Sequence, residues 1–285
     1  TSTTPCHQII MLSAFGHLEG LGLAETSRNA HDDEYSDDES SSSSLAPPAT
    51  LVWLSKSTNS ETKGPVNVKE LYISTELASA SFLTCNFPSF EPVGSLSTES
   101  GMALSLLAPP GETLQQEGGL TKMIVVASNK KFNVAPGDEW QWVEPLFARV
   151  SATKIVVLGT VLATKVPLVS AAQGRPMAPL IFQLGTTTFL SSGRTMLNDT
   201  VVLDAPILPN PILMEGFSGA VMAHCEAVGL NAVSLISLIE RVIDSTTLVA
   251  YEQWIESSGM DTKERRDLYK EAVKDASRQL DSMYL

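Results

Sequence analysis

Three short apolar runs constrain this chain more than any other feature. Residues 122–127 read KMIVVA, residues 154–163 read KIVVLGTVLA, and residues 231–239 read NAVSLISLI. The first two are continuous and not alternating, the pattern of strands covered by other elements on both faces. Segments of helical spacing separate and follow them. In 139–150 (EWQWVEPLFARV) Trp142, Val143, Leu146 and Phe147 form one apolar stripe, with Pro145 expected in the first turn or at a kink. Residues 216–228 read as a helix stopped by Gly229. An amphipathic helix is expected over 246–255. Another opens at Asp261-Thr262-Lys263-Glu264, with Glu264 as the third helical partner of a capping box, and runs to about Leu280. The strand–helix alternation predicts an α/β fold with a mainly parallel central sheet flanked by helices, in a single domain.

Further strands are expected at 50–54 (TLVWL), 71–74 and 179–184 (PLIFQL), and a break at 206–211 (PILPNP). Residues 29–48 (NAHDDEYSDDESSSSSLAPP) hold almost nothing apolar to offset the entropy of ordering, so a disordered acidic, serine-rich insertion is expected there. Residues 7–23 before it could form a first core strand or helix. No internal repeat is present. The folded domain is therefore expected to span 1–280, with a flexible tail at 281–285.

With 19 basic against 32 acidic residues the net charge is −13, which argues against a nucleic-acid groove and against docking on an anionic membrane. No apolar run reaches membrane-spanning length, and 9–24 is interrupted by His17 and Glu19, a poor signal peptide. Cys6, Cys85 and Cys225 lie far apart, as expected of free thiols in a reducing compartment, and offer no zinc site. Asn198-Asp199-Thr200 fits a glycosylation acceptor with nothing else to indicate secretion. Cytoplasm and nucleus are the expected locations.

Catalytic signatures are missing. Neither a P-loop nor a G-x-G-x-x-G stretch occurs. Gly216-Phe217-Ser218-Gly219 lacks the G-x-S-x-G spacing of a nucleophile elbow, and its small residues are better explained by close packing against a strand. Of the four histidines, His7, His17 and His31 fall in the amino-terminal region. His224 reads as a core or interface histidine, and it cannot pair with Cys225, because adjacent helical residues diverge by about 100°. Trp140 and Trp142 read as a staple of helix to sheet. The charges from Lys263 to Glu271 read as a solvated face. No catalytic residue, cofactor or metal is expected.

The chain closes on Met283-Tyr284-Leu285. An apolar residue, a tyrosine and a free carboxylate make a compact plug that can enter a partner's pocket and pair with a lysine or backbone N–H groups. Three features in order then resemble the proteasome assembly chaperone 1 family. They are Asp138-Glu139-Trp140-Gln141-Trp142-Val143-Glu144 before a buried strand, the stretch from Pro209-Asn210-Pro211-Ile212 to Gly229-Leu230-Asn231-Ala232, and the hydrophobic–tyrosine–any ending. The resemblance covers about residues 138–257 and the tail. It implies no enzyme activity. It implies a heterodimer with a proteasome assembly chaperone 2-like protein, seated on 20S proteasome α subunits, with Met283, Tyr284 and Leu285 in a pocket between neighbouring subunits. Two alternatives remain: an enzyme on a phosphorylase-like or hydrolase-like sheet, and a passive regulator of the mature proteasome. Clustered Arg, His and carboxylate groups would favour the enzyme, and an exposed apolar face the chaperone.

Overall fold

The computed structural model describes residues 48–54, 64–112, 114, 119–127, 132, 134–162, 181–192, 205–208, 214–239, 248–252, 255 and 262–283. The expectations placed on 7–23 and on 29–47 fall outside these residues. Eight strands form one sheet: β1 (Thr50–Trp53), β2 (Val66–Ser74), β3 (Glu91–Ser97), β4 (Ala103–Ala108), β5 (Leu120–Ala127), β6 (Val150–Leu162), β7 (Ile181–Gly185) and β8 (Ala232–Ile239). The helices with described bounds are α1 (Leu77–Asn86), α2 (Trp140–Arg149), α3 (Thr187–Ser191), α4 (Gly216–Val228) and α5 (Thr262–Met283).

Strand order is β1-β3-β4-β5-β2-β6-β8-β7. The centre, β5-β2-β6-β8, is parallel, with Ile73 beside both Val125 and Val157, and Val157 beside Ser234. Antiparallel strands extend it on both sides: β4, β3 and β1 on one, β7 on the other. The sheet is thus mixed, and the expectation of a mainly parallel one holds for its centre alone. On one side the difference comes from β3 and β4, which the sequence pattern did not announce, and on the other from β7, which pairs antiparallel with β8.

Alternation along the central strands feeds two cores. Leu71, Ile73, Met123, Val125, Ile155 and Val157 meet Trp142, Val143, Leu146, Phe217, Val221 and Cys225 of α2 and α4. Tyr72, Ile124, Val126, Val156, Leu158 and Leu235 meet Phe82 and Leu83 of α1, Tyr251, Ile255 and Tyr269. These continuous apolar runs are strands because both faces are covered, so neither parity of side chain can be polar.

Two local expectations change. Pro145 lies in the second turn of α2, beyond the first turn that was one of its two expected places, and cannot bond the Gln141 carbonyl; the Ala49 N–H donates to that carbonyl at 3.0 Å, tying the start of β1 to α2. Within 206–211, Pro206 to Leu208 does not simply break the chain: the Gln183 N–H donates to the Pro206 carbonyl (2.8 Å) and the Leu208 N–H to the Gln183 carbonyl (2.9 Å), so the segment lines the β7 edge. Of the helix expected over 246–255, Leu248 and Val249 are helical and 250–252 continue as turns, with Leu248, Tyr251 and Ile255 buried at helical spacing and the Ile255 N–H donating to the Tyr251 carbonyl. The α4 stop is as expected, with Gly229 in the left-handed region at φ 75°.

Candidate functional site

Residues Thr262–Met283 form one helix of 22 residues, so α5 continues three residues past the expected end and includes Met283. Tyr284 and Leu285 lie outside the described residues. The amino-terminal half of α5 is anchored where Tyr269, fully buried, accepts a 2.6 Å hydrogen bond from Asn86 Nδ2 and packs on Phe82. Arg265 Nε lies 3.7 Å from Glu252 Oε1 beside it. The opposite side is charged and solvated, with Lys270 paired to Asp267 at 3.0 Å. An exposed pair of this kind contributes little to stability. The helix therefore has a fixed base.

The aromatic residues singled out in the sequence serve the joint between α2 and α4. Trp142 is buried and meets Phe132 edge-on at 4.8 Å. His224 stacks on Phe147 at 4.7 Å with Trp140 at 6.2 Å. Burial lowers the His224 pKa from its ordinary range, and Glu144 opposes that in part. A neutral, stacked imidazole at a helix joint is an interface histidine, as the sequence suggested. Burial pushes the Cys225 thiol up to about 12 and the Cys85 thiol up to about 11, with Glu271 adding to the latter, so neither is a ready nucleophile. The Gly216–Gly219 turn needs its glycines for a reason other than the expected strand contact. A side chain on Gly219 would begin 2.5 Å from the Met214 carbonyl oxygen, so the helix start folds back on its own lead-in.

Sequence reasoning missed a polar cluster at the carboxyl end of the central strands. Where β2 ends, β6 runs on beside β8, and Thr160 loses its neighbour on the β2 side. Glu76, the residue ahead of α1, takes that place: its Oε2 accepts from both the Thr160 N–H and the Thr160 hydroxyl. The next carbonyl, that of Gly159, accepts from the Tyr251 hydroxyl at 2.7 Å, and Ser237 Oγ then donates to the Tyr251 oxygen at 2.8 Å. Burial raises the Glu76 carboxyl to about 7, against the lowering pull of the two Thr160 donors. No local motif announces this, because the partner of Glu76 is 84 positions away.

A carboxyl titrating near neutrality suits proton transfer. Among the described residues, however, Glu76 makes no ion pair. No group of three or more His, Cys, Asp or Glu side chains able to hold a metal occurs among them either. Among the described residues, the clustered Arg, His and carboxylate set that would favour the enzyme reading is not assembled around it. The exposed apolar side chains are clearer: Val52 and Leu54 at the open edge of the sheet are each 53% exposed. No described helix is long and apolar enough to cross a membrane.

No protein-family model matches the chain. No curated protein matches it by sequence. Solved structures do match in fold. An archaeal proteasome activator of Pyrococcus furiosus, PbaB, is 12% identical over 84% of this chain and 99% of its own, with a TM-score of 0.52. PbaA of the same organism, an archaeal homolog of proteasome-assembly chaperone, is 14% identical over 83% and 92%, at 0.50. A protein of unknown function from Thermoplasma acidophilum is 12% identical over 78% and 90%, at 0.51. The chain shares the α/β fold of these proteins.

Proposed function

We propose that this chain is a non-catalytic assembly chaperone of the 20S proteasome, acting as half of a heterodimer with a proteasome assembly chaperone 2-like protein in the cytoplasm and nucleus. The observation that carries the reading is the conjunction of two independent facts. The fold is shared with an archaeal homolog of proteasome-assembly chaperone. The chain also ends in Met283-Tyr284-Leu285, at the close of a helix whose base is fixed. Met283 and Tyr284 would fill the apolar part of a pocket between α subunits, and the Leu285 carboxylate would pair with a pocket lysine. A charge-assisted bond of this kind contributes about 1.5–3 kcal/mol. One tail gives modest affinity, since ordering it costs entropy, and a second tail on the partner raises the effective concentration.

The test is capture of α subunits by the co-expressed heterodimer. Tyr284→Ala, or deletion of 283–285, is expected to weaken capture about tenfold or more while the heterodimer still forms. Undiminished capture by both variants would sink the tail assignment. A second reading, a passive regulator of the mature proteasome, draws on the shared fold of PbaB, an archaeal proteasome activator. Recovery of α subunits without mature peptidase activity separates the assembly factor from the regulator.

A further inference from the structure

The residues around Glu76 tie three layers together, independently of the proteasome reading. Glu76 precedes α1, and its own helix draws no capping bond from it. The carboxyl instead reaches β6 at Thr160. Gly159, the next residue back, lies against it: a side chain there would begin 3.5 Å from Glu76 Oε1 and 3.8 Å from the Met214 methyl, ordinary contact distances. Tyr251 closes the cluster against Gly159 and Ser237 and packs on Phe82 of α1 at 5.1 Å. Phe82 in turn meets Tyr269 of α5 at 6.0 Å. The groups facing the carboxyl are therefore Thr160 and Gly159 from β6, Met214 from the lead-in to α4, and Tyr251, the only titratable one among the described residues. None carries a positive charge. A neutral carboxyl suits this setting, since it still accepts both Thr160 bonds through its carbonyl oxygen. A carboxylate here is half-buried and has no counter-ion among the described residues, a costly state.

We propose that Glu76 is a proton-operated latch between the end of β6 and the helical layer of α1, residues 248–252 and α5: protonated, it holds the layer on the sheet, and ionised, it loosens it. The direction follows from linkage. The carboxyl is raised from 4.5 to about 7, so the folded chain keeps a proton that the unfolded chain has released between those values. The stabilisation is complete below pH 4.5 and is lost as pH rises through about 7.

Hydrogen exchange of the full chain at pH 6 and pH 8, corrected for intrinsic exchange, reads the latch directly. Protection of α1 and of residues 248–252 is expected to fall about tenfold or more on going to pH 8, with β3 and β4 changing less. Glu76→Gln, a permanent mimic of the neutral acid, is expected to keep the pH 6 protection at both values. Equal protection of the unmodified chain at both pH values, or the same fall in the Gln variant, overturns the proposal. A carbon-13 carboxyl titration of the unmodified chain decides the case even where the variant folds poorly. One glutamate with a midpoint near 7 is expected; midpoints that all lie in the ordinary carboxylate range overturn the latch.

Discussion

The parallel centre of the sheet and its antiparallel wing are built on different terms. In β5, β2, β6 and β8 both faces are roofed by helices, and consecutive residues such as Met123, Ile124 and Val125 are all buried. In β1, β3 and β4 one face reaches the α2 side of the core, through Leu96, Leu104 and Leu106, and on the other face Leu107 near the end of β4 is half-buried against the second core. The other parity carries Thr50, Val52, Ser95 and Ser97, which are half-buried or exposed. A strand roofed twice must be apolar throughout, whereas a strand roofed once needs only every second residue. The same local geometry therefore leaves a strong imprint on one sequence and a faint one on the other.

That contrast can be broken by mutation. Ile155→Ala removes a fully buried side chain from between β2 and β8 and is expected to cost about 2–5 kcal/mol, measured by chemical denaturation. A cost under about 1 kcal/mol would mean that the centre is no more tightly packed than the wing. Gly119→Ala probes the entry to β5. At φ 76° its new Cβ would begin 2.3 Å from the Asn67 carbonyl oxygen, so a loss of about 2 kcal/mol is expected from the same measurement. A neutral result would show that β5 can shift against β2. Val52→Ser, at an exposed position of the wing, is expected to change stability by less than about 0.5 kcal/mol. A larger loss would reveal that something covers the β1 edge.

How far the sequence could be read follows the same division. The α4 helix was legible from Gly216 to its stop at Gly229, because a left-handed terminator and an apolar stripe are local facts. The α2 stripe was legible too, through Trp142, Val143 and Leu146. By contrast, α1 (LASASFLTCN) mixes small and hydroxyl residues without a clear stripe and passed unnoticed. So did β3, whose Pro92 and Gly94 resemble a turn; Gly94 is needed there because a side chain would begin 2.8 Å from the Trp53 ring. The Glu76 cluster could not be foreseen at all. A lone glutamate between Thr75 and Leu77 looks like any solvated residue until β6 brings Thr160 to it.

The sequence by itself determined the composition of each central strand, the class of fold that such strands require, the stop of α4 and the identity of the final Met283-Tyr284-Leu285. Those properties are local: they depend on which residues follow one another. Only the tertiary structure decided which strands became neighbours, which parity of the wing lost its roof, and that Glu76 would exchange water for the end of β6. Those depend on contacts between residues far apart in the chain, and a carboxyl's affinity for its proton is set by the dielectric and donors that such contacts supply.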